Sequence, residues 1–138
     1  GYLAAMRDAG LPIPDDRVLW YTTEERRYLL DYGHNDLLNH FIQFYLKDCT
    51  AVICYNDEIA DRIIRMLLGS GHRVPADTAV VSFDNSYYSD LCPVRITSLA
   101  HEAHRLGSIA AELLLERMAG RQVESQSITW RLIQKESS

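Results

Sequence analysis

The sequence predicts an α/β fold: a largely parallel sheet with helices on both faces. Two observations carry that prediction. Short β-favouring runs alternate with longer segments whose apolar residues recur every three or four positions. The runs at 51–55 and 79–83 are also almost continuously apolar, as expected of strands buried on both faces of a parallel sheet.

In chain order, residues 2–9 predict a short helix with Leu3 and Met6 on one face. Gly10 stops it, and Pro12 and Pro14 mark the loop that follows. The run Val18-Leu19-Trp20-Tyr21 predicts a strand, after which Thr22 and Thr23 supply turn or cap chemistry. Residues 35–47 predict a helix whose stripe is Leu37, Leu38, Phe41, Ile42 and Tyr45, with Asn35 as its cap. A buried strand follows at 51–55. Asn56-Asp57-Glu58 then opens a helix, its acidic groups placed where the helix dipole favours them. Ile59, Ile63, Ile64, Leu67 and Leu68 form its apolar stripe, and Gly69 and Gly71 end it. Residues 79–83 predict a second buried strand ending at Asp84, 85–93 a polar and aromatic loop, and 95–99 a short strand. Residues 101–119 predict a helix through Leu106, Ile109, Ala110, Leu113, Leu114 and Met118, with Gly120 after it. Residues 127–133 alternate Ile128, Trp130 and Leu132 against Thr129, Arg131 and Ile133, and predict a final strand. The sequence contains no internal repeat and no linker long enough to divide it.

Length and composition bound the function. The chain has 138 residues, close to one ordinary domain, with 47% apolar and 24% charged residues, a balance that argues against disorder. No apolar run approaches the roughly 18 residues of a membrane span, so no membrane partner is expected. A basic start followed by an apolar stretch, the mark of a signal peptide, is not expected either. With 14 basic and 19 acidic residues the net charge is −5, which argues against a nucleic-acid surface on this chain. Cys49, Cys54 and Cys92 are odd in number and irregular in spacing, so they read as reduced thiols of a cytoplasmic protein.

Ligands of open α/β sheets sit beyond the carboxyl ends of the strands. That rule selects residues 21–24, 55–57 and 84–88, three polar or aromatic strand ends converging on one crevice. No G-x-S-x-G elbow, Walker lysine motif or G-x-G-x-x-G is present. Gly69-Ser70-Gly71 closes a helix rather than opening one. Ser82, Asp84 and His101 form a triad only on paper, because Ser82 lies inside a predicted strand. No enzyme activity and no cofactor are expected.

Several segments together resemble the effector-binding domain of the LacI/GalR family of bacterial repressors, a type I periplasmic-binding-protein fold. They are Ala51-Val52-Ile53-Cys54-Tyr55-Asn56-Asp57-Glu58, Arg73-Val74-Pro75-Ala76-Asp77 and Ala79-Val80-Val81-Ser82-Phe83-Asp84-Asn85. Ile96-Thr97-Ser98 and the helix from His101 through Leu106-Gly107 to Gly120-Arg121 continue the pattern. Their order and spacing, not any single motif, carry the resemblance. Tyr55-Asn56-Asp57-Glu58 and Phe83-Asp84-Asn85-Ser86-Tyr87-Tyr88 are also similar to arabinose-operon repressors, which join a GntR-type winged helix to a LacI-type sensor. The resemblance implies that residues 1–98 belong to the C-terminal lobe. Residues 99–120 then form a hinge-adjacent helix that packs on the N-terminal lobe, and 121–138 return to the C-terminal lobe. The family's ligand-clamping arginine and the DNA-binding domain would lie outside this chain.

The resemblance, joined to side-chain chemistry, selects ligand candidates. Asp84 is matched to a family acid that accepts sugar hydroxyls, and a carboxylate takes two such donors at once; its plain alternative is a turn or helix cap. Asn56 can donate to one hydroxyl and accept from another, or cap the next helix, or do both. Asp57 reads as a first-turn charge more than a ligand contact. Either Tyr21 or Trp20 can stack on a sugar face, with Trp20 the better core residue. Glu24 is a hydroxyl acceptor or a solvated loop charge. His101 stands where many family members carry a glutamine. His104 shares its helix face, but no third metal ligand is near, so no metal site is expected. Tyr87, Tyr88, Leu91 and Ile64 fall where the family forms its dimer.

The expectation is thus a sugar-sensing regulatory module, a homodimer closing its lobes on a small sugar (a pentose such as L-arabinose is favoured). It would reach operator DNA through a domain not in this chain. Its rivals are a periplasmic sugar-binding or transport protein of the same fold, a small α/β enzyme, and a free-standing fragment without ligand affinity.

Overall fold

The computed structural model describes residues 1–32, 36–46 and 48–138. The chain divides into two compact units, Gly1–Thr50 and Ala51–Ser138.

The first unit is helical. Helix α1 spans Tyr2–Asp8. Gly10 ends it at φ 66°, a left-handed conformation that suits a residue without Cβ. A 3-10 turn over Asp15–Arg17 follows. The strand expected at 18–21 does not form, and Trp20, expected in the core, is 75% exposed. Val18 has extended dihedrals (φ −128°, ψ 109°), yet no described residue of this helical unit offers a ladder to pair with. The segment is held instead by Arg17, whose Nη1 donates to the Tyr45 carbonyl at 2.6 Å and to Cys49 Sγ at 2.9 Å.

Helix α2, Thr23–Tyr32, was not expected from the sequence. It opens with a reciprocal cap. Glu25 Oε2 accepts the Thr22 N–H at 2.6 Å and its hydroxyl at 2.9 Å, while Thr22 Oγ1 accepts the Glu25 N–H at 3.2 Å. These bonds from Thr22 hold the Glu25 carboxyl below its ordinary value. Helix α3 spans Asp36–Phe44 and buries Leu38 and Phe41 from the expected stripe. The ring of Phe41 lies 5.8 Å from that of Tyr45. The expected cap Asn35 and end residue Lys47 lie outside the described residues.

The second unit is a four-stranded sheet in the order β1 (Ala51–Ile53), β2 (Ala79–Phe83), β3 (Thr97–Ala100), β4 (Arg131–Ile133). Strands β1, β2 and β3 are parallel, with Ala51 opposite Ala79 and Phe83 opposite Leu99. Strand β4 is antiparallel to β3, with Ala100 opposite Arg131. The sheet is therefore mixed, as expected in its parallel part and reversed at one edge.

Helix α4, Asp57–Gly69, packs on β2 through the expected stripe: Ile59, Ile63, Ile64 and Leu67 are buried, with Ala60 among them. Each such aliphatic side chain contributes about 1.5–3 kcal/mol of transfer free energy. Val52, Cys54 and Val80 are buried with them. The run at 51–55 is not buried on both faces, however. It alternates, and Ile53 is 53% exposed, because β1 is an edge strand whose two faces differ.

The expected loop at 85–93 contains a one-turn helix α5, Tyr88–Leu91. Helix α6, Ala103–Met118, has no buried residue, and Leu106, Leu114, Leu115 and Met118 are exposed. Near the C-terminus Ser137 is fully buried. Its hydroxyl donates to the Val80 carbonyl at 2.5 Å and accepts the Thr97 N–H at 2.8 Å, which ties the terminal segment to both central strands.

Candidate functional site

The carboxyl ends of β1, β2 and β3 bring together Asn56, Asp84 and His101, with Trp130 entering from the antiparallel β4. Asn56 follows β1 in extended conformation, and its Oδ1 accepts the Ile59 N–H at 3.0 Å. It is thus the N-cap of α4. The cap uses the amide oxygen and leaves ligand donation to the amide nitrogen.

Asp57 is in the first turn of α4, as expected, but it is not a solvated charge. It is fully buried. Its Oδ1 accepts the hydroxyls of Ser98, at 2.7 Å, and of Ser82. Its Oδ2 accepts the Ser86 N–H at 2.5 Å and the Ser86 hydroxyl at 2.9 Å. A buried carboxylate is costly without partners. Here four donors and the positive end of a helix surround it.

This carboxylate shapes the turn after β2. Asp84 and Asn85 have φ of 94° and 48°, left-handed values that non-glycine residues adopt only when their surroundings impose them. Three successive backbone amides are held by three different acceptors. The Asp84 N–H donates to the Leu99 carbonyl at 2.9 Å, Asn85 to Ser98 Oγ at 3.0 Å, and Ser86 to Asp57. The turn is fixed from beneath, and the Asp84 carboxylate stands exposed at the strand end. A turn that is already fixed adds no backbone ordering cost when the acceptor it carries binds a hydroxyl.

His101 follows β3 and is half-buried, and its Nδ1 is buried without a hydrogen-bond partner among the described residues. Its ring centroid is 5.2 Å from that of Trp130, and Phe83 meets the same indole edge-on at 6.1 Å. Tyr21 and Glu24 belong to the other unit: Tyr21 is half-buried, and Glu24 is exposed in the first turn of α2.

The residues expected at a dimer contact divide. Tyr87 and Tyr88 stack with centroids 4.4 Å apart, and Tyr87 and Leu91 are exposed. Ile64 is fully buried on the core face of α4, so it offers no area to a second chain, and that expectation is corrected. Cys54 is buried, and its thiol is pushed up to about 12 by desolvation and then by the Asp57 charge. No group of three or more metal-ligating side chains exists among the described residues. No described helix is long and apolar enough to cross a membrane.

Sequence reasoning missed the role of Asp57, its serine partners and Trp130. A serine inside the apolar run Ala79-Val80-Val81-Ser82-Phe83 was the available signal, since a buried hydroxyl needs a partner. Trp130 needed the register of β3 on β4, which no single segment contains.

The periplasmic binding protein-like domain family matches residues 1–138. The chain is 28% identical over 125 residues to the arabinose metabolism transcriptional repressor of Geobacillus stearothermophilus, covering 90% of the chain and 33% of that protein. It is 31% identical over 126 residues to the HTH-type transcriptional repressor PurR of Vibrio parahaemolyticus serotype O3:K6, covering 91% and 36%. Among solved structures, the transcriptional regulator CelR–cellobiose complex superposes with a TM-score of 0.82 at 27% identity, over 99% of this chain and 40% of that one. The chain thus spans about a third of the length of the curated relatives it matches.

Proposed function

This chain belongs to the periplasmic binding protein-like domain family, and on that premise we propose that it is the C-terminal part of the effector-sensing domain of a transcriptional repressor. Residues 1–98 and 121–138 are assigned to the C-terminal lobe, and 99–120 to the helix that packs on the N-terminal lobe. The uncovered apolar side chains of α6 support that assignment.

The proposed effector is a small sugar, with a pentose such as L-arabinose first among candidates. One observation carries the reading: the Asp84 carboxylate is exposed on a turn whose three amides are all held, beside the Asn56 cap and His101. A carboxylate on a fixed turn, at strand ends that also carry an amide and an imidazole, suits a polyol, which offers several hydroxyls in a rigid array. That a relative is an arabinose metabolism repressor, and a similar regulator is described with cellobiose, supports the same class. Tyr21 and Glu24 remain candidates from the first unit.

The mechanism is closure of two lobes about the hinge crossings near 96–99 and 120–125. Sugar changes operator occupancy only by binding one lobe arrangement better than the other, and operator and sugar then alter each other's affinity equally. Operator DNA is read by a domain outside this chain, and Tyr87, Tyr88 and Leu91 are proposed to face the second copy of a homodimer.

Calorimetric titration of the full-length protein with L-arabinose, D-xylose, D-ribose, D-galactose and D-glucose tests the reading. Saturable binding of one sugar, weakened roughly ten- to a hundredfold in Asp84→Ala, is the expected result for loss of charge-assisted bonds of about 1.5–3 kcal/mol. Heat from none of them would move the effector toward a nucleobase, a phosphorylated metabolite or a protein partner.

A further inference from the structure

We propose that Trp130 is a specificity-determining residue of the effector site, an indole platform for the C–H face of a pyranose ring; this rests on the sugar reading above. Topology is the first ground. Strand β4 runs antiparallel to β3, so its beginning lies at the carboxyl ends of the parallel strands, where the Asp84 turn stands. Continuing the register by one pair beyond Ala100 and Arg131 sets Trp130 opposite His101.

The rings bear out that continuation. The indole lies 5.2 Å from the His101 imidazole, tilted 52°, and 6.1 Å from Phe83 at 86°. Phe83 is the residue before Asp84, so the same short segment braces the indole and presents the carboxylate. Braced by two rings, Trp130 is nevertheless 49% exposed, at the end of the sheet where the Asp84 turn stands. An aromatic plane and a carboxylate are the two surfaces that a pyranose presents chemistry to: ring C–H groups on one side, hydroxyls at the rim.

The second ground is His101: half-buried, with its ring against the indole, it brings an imidazole to the same end of the sheet. The arrangement favours a ring whose C–H groups at C3, C4 and C5 gather on one face, as they do in L-arabinopyranose. In D-xylopyranose the axial hydrogens alternate between the two faces.

Trp130→Ala and Trp130→Phe in the full-length protein test this, titrated with L-arabinose and D-xylose and followed by calorimetry and tryptophan emission. The expected result is an L-arabinose Kd raised about tenfold in Trp130→Ala and largely restored in Trp130→Phe. The preference for L-arabinose over D-xylose should narrow in Trp130→Ala. The emission change on binding should persist in Trp20→Phe and be clearly smaller in Trp130→Phe. If Asp84→Ala loses binding while Trp130→Ala keeps both affinity and preference, the platform is wrong and the sugar reading stands. If the wild-type protein binds no sugar, both fall.

Discussion

The carboxylate of Asp57 accepts both the backbone N–H and the hydroxyl of Ser86, at 2.5 and 2.9 Å, across 29 residues of sequence. One buried side chain at the start of α4 therefore fixes the far end of the turn that carries Asp84.

Removing that side chain should be severe. Asp57→Ala leaves the donors of Ser82, Ser86 and Ser98 without their acceptor in a buried site. Loss of about 3–5 kcal/mol is expected from urea unfolding, as for other broken buried charge networks. A loss under about 1 kcal/mol would mean that water replaces the carboxylate without penalty.

Ser98→Ala should act on the turn more than on the fold. The substitution removes one donor to Asp57 and the acceptor of the Asn85 amide. Destabilisation of about 1–3 kcal/mol is expected. Amide hydrogen exchange should also accelerate at residues 84–86 ahead of the α4 interior, and unchanged exchange there would contradict the three-acceptor description.

Acid should expose one surface clip. Arg73 donates to Asp77 through its backbone N–H and guanidinium, at 2.8 and 2.6 Å, and holds that carboxyl down at about 2 from an ordinary 3.8. A depressed carboxyl stabilises the folded state above its unfolded pKa. That stability is lost as pH falls from about 3.8 through about 2. Carboxyl-detected NMR should place the Asp77 midpoint well below those of exposed aspartates, and salt should raise it, since the pair is open to solvent.

Thiol labelling should be slow at two positions. Cys54 and Cys92 are buried, with thiols raised to about 12 and about 11, chiefly by desolvation. In the folded protein at pH 8 neither should react with an aromatic disulfide reagent, whereas both should in denaturant. Rapid native labelling of Cys54 would show that the β1 end opens readily.

How far the sequence could be read followed how local each feature is. Strands at 51–55, 79–83 and 95–99 and the helix after Asn56 rest on runs and caps contained in a few residues, and all appear within a few positions. Helix α2 was missed although Thr22 and Glu25 carry a capping signature, because the turn chemistry was read without the residue three positions on. Trp20 failed for the opposite reason. An apolar β-favouring run predicts a strand only if a ladder is available, and that is decided elsewhere in the chain. Ile64 was read correctly as part of the apolar stripe of α4, and that burial is what rules out its second reading as a dimer contact. The strand-end positions of Asp84 and Asn56 were legible, but the Asp57 network joins residues 57, 82, 86 and 98. No sequence window holds all four.

Strand β3 supplies two of the three acceptors that hold the Asp84 turn, Ser98 Oγ and the Leu99 carbonyl, and its chain runs on through His101 to α6. In mechanical terms the turn is keyed to its neighbour strand: β3 is laddered to β2 on one side and β4 on the other, so the sheet and the backbone of the Asp84 turn form one rigid piece, joined to α6 by His101 and Glu102 alone.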